Sequence, residues 1–150
     1  MLAPRLLVSV VALALAASSS PLSSAGQPTP PSFRVIVHPK NTVARVERTF
    51  LADAFFKNIT RWPDGTLIRP VDLQPREPAR GAFSQGVLER SVRAVKAYWH
   101  QRIFAGRGVP PPELAHDADV MAFVLRHEGA IGYVSSGFDA AGARTVAVGP

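Results

Sequence analysis

Apolar residues recur along this chain at two different periods, and the periods alternate. Phe33–His38 reads FRVIVH, a β-branched run closed by Pro39, which predicts a strand. Val35 and Val37 share one face, Arg34 and Ile36 the other. The run is nearly continuous in apolar residues, as in a strand covered on both faces by helices. Glu47–Lys57 predicts a helix, because Phe50, Leu51, Ala54 and Phe55 recur at helical spacing. Trp62-Pro63-Asp64-Gly65 predicts a turn: Pro63 fixes one dihedral and Gly65 permits a positive φ. Leu67–Leu73 (LIRPVDL) predicts a second strand. Pro70 has no N–H for a ladder, so that strand is short or lies at a sheet edge.

The second half repeats the alternation. Pro78–Leu88 predicts a helix with Ala79, Phe83 and Val87 on one face. Ser91 is placed to cap a longer helix running to about Phe104, with a stripe of Val92, Val95, Trp99 and Ile103. Gly106 and Gly108 end it, and Gly108–Pro112 (GVPPP) is a rigid, extended loop. Asp117 is placed to cap a helix through Arg126 that turns Val120, Met121, Val124 and Leu125 inward. Ala130–Val134 and Ala143–Val148 predict strands. Strands alternating with helices predict an α/β fold, a mixed sheet flanked by helices.

The N-terminal end follows other rules. Met1–Arg5 carries one positive charge, Leu6–Ala17 is apolar but too short to span a bilayer, and Ser23 and Ala25 are small. This predicts an export signal over residues 1–25, cleaved after Ala25. The alternative is an uncleaved N-terminal anchor. Residues 26–32 form a Pro-rich linker, QPTPPS over Gln27–Ser32. A domain over residues 33–150 follows, of a size to hold one core. The expected location is periplasmic or secreted. The chain has no cysteine, so packing rather than disulfides must stabilise it.

Charge narrows the partners. Without Arg5 the chain keeps 16 Lys+Arg against 11 Asp+Glu, and 13 of the 16 are arginine. A basic exported protein favours anionic partners. Nucleic acid is not expected, because the arginines are scattered and export removes the obvious target.

Two blocks carry a resemblance. Leu51, Ala54, Phe55, Lys57, Ile59, Trp62 and Asp64 stand in LADAFFKNITRWPD, and Val120 and Phe123 precede Gly129–Val134, GAIGYV. In order and spacing they resemble the phosphate-binding proteins of bacterial ABC transporters, within the type II periplasmic binding protein-like superfamily. The likeness runs from Phe33 to Val148, with Tyr98 and Trp99 in register. It implies one lobe of that fold, where the family has two, and a non-catalytic binding module for phosphate or a similar small anion. The implied partners are that anion and transporter membrane subunits. No cofactor is expected.

The resemblance also implies a site: an Arg after the second strand, then a Ser-Gly-Thr loop opening a helix whose N–H groups hold the anion. Here the strand exits into Asp72-Leu73-Gln74, and the loop position reads Glu77-Pro78-Ala79. Arg76 and Arg80 flank the helix start and Ser84 lies one turn on, so two guanidinium groups are placed to replace the lost donors. Ser135 and Ser136 follow the GAIGYV strand as further candidates, and Lys40 lies in the Pro39–Thr42 loop. The other reading of the altered loop is an envelope structural or interaction protein that keeps the fold without the ligand. His38, His100, His116 and His127 have no metal-site spacing, and no acid–base constellation points to an enzyme.

Overall fold

The computed structural model describes residues 32–150. The expected export signal and all of the linker before Ser32 lie outside the described residues. β1 (Phe33–Val37) is the middle strand of a five-stranded mixed sheet. It is antiparallel to β6 (Ala130–Ser135) on one side and to β7 (Arg144–Val148) on the other. A short β2 (Arg45–Val46) closes the β7 edge and β3 (Arg69–Pro70) the β6 edge, both in parallel pairing. β1 is covered as its pattern predicts: Val35, Ile36 and Val37 are all buried.

α1 (Arg48–Phe55) buries Leu51, Ala54 and Phe55. It stops where Lys57 takes a left-handed φ of 57°. α2 (Pro78–Gly86) lies on one side of the sheet, with the Phe83 ring stacked on Tyr133 of β6 at 3.9 Å between centroids. α3 (Val92–Phe104) is capped as expected, Ser91 Oγ accepting from the Ala94 N–H at 3.1 Å. α4 (Asp117–Arg126) packs Val120 and Val124 against the strands. Among the described residues, no helix is long and apolar enough to cross a membrane.

The two sequence blocks meet in this fold. The indole Nε1–H of Trp62 donates to the Gly129 carbonyl at 2.9 Å. Gly129 has φ +79°, and a Cβ there would stand 2.1 Å from the Leu67 carbonyl oxygen. At Gly132 a Cβ would meet Val120 Cγ1 at 2.7 Å and Val71 Cγ1 at 2.8 Å. Both glycines of GAIGYV therefore serve close packing.

Four expectations change. The run Leu67–Leu73 is not one strand: β3 ends at Pro70, which sits at the sheet edge where its missing N–H costs nothing. Asp72–Leu73 then forms β4, leaving the main sheet to pair in parallel with β5 (Glu113–Leu114). His116, not Asp117, is the N-cap of α4, and the Asp117 carboxylate accepts from the Ser135 N–H at 3.1 Å. The α3 stripe is covered only at Val95 and Trp99, while Ile103 is 46% exposed. Leu125 is also exposed, beyond the reach of the sheet that α4 covers.

Candidate functional site

β4, β5 and β6 all run toward one end of the fold, and α2 and α4 begin there. In α/β folds this end, beyond the carboxyl ends of the strands, gathers loops and helix N-termini. The turn from β4 to α2 carries Gln74 to Glu77. Its backbone is anchored by Gln74 N–H to Leu114 O at 2.9 Å and Glu77 N–H to Gln74 O at 3.0 Å.

Arg80 points inward from this turn. It is 1% exposed and forms an ion pair with Asp72, itself 4% exposed. Glu113 on β5 lies 3.7 Å from Arg80 Nη2. Asp72 also accepts from the Leu73 N–H at 3.0 Å and from the Tyr133 hydroxyl. Burial holds the Tyr133 phenol above its ordinary pKa, with the Arg80 charge pulling the other way. The phenol therefore stays a neutral donor to Asp72. The strand-exit aspartate and the helix arginine neutralise each other, which lets both be buried. Arg80 Nε and Ser84 Oγ remain buried without a hydrogen-bond partner among the described residues.

Arg76 differs. Its side chain is 65% exposed, and its nearest acid is Glu77 at 3.7 Å. Such a surface contact is worth about 0–1 kcal/mol, so the guanidinium is free to change partners. Glu77 is the N-cap of α2 but makes no side-chain cap bond, and Pro78 follows at the first helical positions. The Arg80 N–H is already bonded to Glu77 O at 3.0 Å. The helix start thus presents the exposed Arg76 side chain, while Ala79 is buried, a sparser set than a Ser-Gly-Thr loop offers.

The other candidates lie on other elements. Ser135 is half-buried and its N–H is held by Asp117, while the Ser136 N–H donates to Ser32 O at 3.0 Å. Lys40 is at the opposite end of β6, because Val37 pairs with Ile131 while Phe33 pairs with Ser135. It pairs with Glu128, whose carboxyl it holds below the ordinary range. The structure therefore places Arg76 and Arg80 at the start of α2, Ser84 buried further along that helix, Ser135 and Ser136 at and just after the carboxyl end of β6, and Lys40 beyond the opposite end of β6. Sequence reasoning missed Asp72, Glu113 and Tyr133. For Asp72 the signal was a carboxylate in the mostly apolar segment LIRPVDL, which once buried needs a cationic or hydrogen-bonding partner; Glu113 is exposed, and Tyr133 carried no comparable signal.

No family model and no curated protein matches the chain. Solved structures do. The fold is similar to an ABC-type phosphate transport receptor from Vibrio cholerae, with TM-score 0.61 and 15% identity over 78% of this chain and 46% of that one. It is similar to PstS from Borrelia burgdorferi, with TM-score 0.59 and 10% identity over 78% and 47%. A proposed phosphate ABC transporter substrate-binding protein, solved with bound phosphate, from Clostridium perfringens gives 0.57 and 19% over 78% and 44%. The chain spans less than half the length of each. At these identities the likeness is one of fold, and it supports the resemblance read from LADAFFKNITRW and GAIGYV.

Proposed function

We propose that this chain is an exported binding module that recognises phosphate or a similar small anion and performs no chemical step. The observation that carries this reading is the shared fold with phosphate receptors over 78% of the chain. The start of α2 supports it: the exposed Arg76 lies beside a helix N-terminus, where the backbone favours an anion. Arg80, fixed by Asp72, lies beneath that turn. Transporter membrane subunits are the fitting partners, since the proteins of like fold serve phosphate transport. A lobe that touches the ligand from one side gives modest affinity. Calorimetry of the protein against phosphate and sulfate tests this. Saturable heat supports it; no heat and no thermal shift at millimolar ligand overturns it.

One observation favours a second reading, an envelope interaction protein of the same fold. Arg80, which the altered loop offered as a replacement donor, is spent on Asp72. If phosphate fails, pull-down from envelope extracts decides: a reproducible protein partner supports this reading, and its absence counts against it.

A further inference from the structure

The apolar stripe of α3 runs past the core that covers it. Val95 and Trp99 are buried, yet Ile103 is 46% exposed, and Val109 on the following loop is 64% exposed. Between α3 and the Pro110–Pro112 segment lies a cleft of about 560 Å³, with Asp72, Arg80 and Glu113 among the residues that line it. That volume falls within the range of small-molecule sites. Large apolar side chains left exposed along a formed cavity mark a surface suited to a ligand.

Charge indicates the ligand's polar end. Between Glu89 and Glu113 the chain has five cations, Arg90, Arg93, Lys96, Arg102 and Arg107, and no Asp or Glu. Arg90 and Arg102 lie over aromatic faces, Arg90 at 5.2 Å from the Phe56 centroid and Arg102 at 5.8 Å from that of Trp99. Lys96 and His100 line the cleft and are exposed. Neither has an ion pair among the described residues, and residues 1–31 contain no Asp or Glu. Glu113, a carboxylate at the cleft, faces Arg80 at 3.7 Å. Arg80 lines the cleft, and its Nε is buried without an acceptor among the described residues.

We propose that this cleft binds an amphipathic anion. Its apolar chain or ring lies along Val95, Trp99, Ile103 and Val109, and its carboxylate or sulfonate meets Lys96 and His100. The cleft shares Arg80 with the start of α2, but the groups proposed to meet this ligand lie on α3 and the following loop, and the proposal does not depend on phosphate binding at α2. Inorganic phosphate has no apolar body and gains nothing from these walls.

Trp99 lines the cleft and is one of two tryptophans in the chain, so its emission reports occupancy. The protein is titrated with decanoate, decylammonium and inorganic phosphate, each below any micellar concentration, and calorimetry repeats the measurement. Decanoate is expected to change the emission saturably, with decylammonium weaker by about tenfold or more and phosphate without effect on Trp99. A double Lys96→Gln, His100→Gln variant, altered only at exposed positions, is expected to lose about tenfold in decanoate affinity. A Val148→Asn control, on β7, is expected to bind as the parent does. Equal binding of decanoate and decylammonium overturns the proposed charge recognition. No binding of decanoate by either method overturns the site, and a stable dimer broken by Ile103→Asp assigns the cleft to a second copy.

Discussion

The corner where Trp62 meets Gly129 and the corner where Arg80 meets Asp72 are both buried, but they are built on different physics. At the first, one neutral hydrogen bond and two close-packed glycines join an aromatic turn to β6. At the second, a full charge pair is buried, with Glu113 and Tyr133 around it and with Arg80 Nε and Ser84 Oγ unpartnered. The first corner fixes the fold. The second holds the turn from which the proposed anion site projects, beside a cleft the core does not fill. A neutral corner tolerates small losses in proportion to contact, whereas a charged one fails sharply when a single partner goes.

The largest expected effect sharpens that contrast. Arg80→Ala leaves Asp72 charged and buried, and should cost about 3–5 kcal/mol in urea unfolding. Arg80→Met combined with Asp72→Leu removes both charges and should recover most of that loss. If the double variant is no more stable than the single, the pair is not what makes Arg80 necessary. At the neutral corner, Gly129→Ala is forced into a left-handed backbone against the Leu67 carbonyl. The conformation alone should cost about 1–3 kcal/mol. Trp62→Phe keeps most of the packing and loses the bond to Gly129, an expected cost of about 1 kcal/mol. A loss for Trp62→Phe equal to that for Arg80→Ala erases the distinction between the corners.

Alkali separates the corners without mutation. The Tyr133 pKa is raised in the folded protein, chiefly by burial. The stability this contributes is fully present below the ordinary tyrosine value of about 10 and is lost as pH rises above it. Unfolding free energy measured across that range should fall, and Tyr133→Phe should flatten the fall. An unchanged slope in Tyr133→Phe places the alkaline sensitivity elsewhere.

Much of the neutral corner was legible in the sequence. The helix α1, the edge placement implied by Pro70 and the doubly covered β1 follow from periodicity and from a missing N–H, which are local properties. The charged corner was only half legible. Arg80 reads as a helix-start arginine free to meet a ligand, and only the pairing of β4 with β5 brings Asp72 and Glu113 to it. That pairing joins segments far apart in sequence, and no local period encodes it. Ile103 illustrates the same limit: its place on the apolar stripe was correct, but where the covering layer ends depends on the tertiary fold.

The arginine left at the surface supports the smallest expected effect on stability and the most direct test. Arg76→Ala should change unfolding free energy by less than about 0.5 kcal/mol. Calorimetric titration of phosphate into the parent and into Arg76→Ala should give saturable heat for the parent and about tenfold weaker binding for the variant, with thermal unfolding unchanged. Equal binding by both proteins removes the start of α2 as the site. No heat from the parent at millimolar phosphate, with no thermal shift, contradicts the assignment of this fold to anion binding.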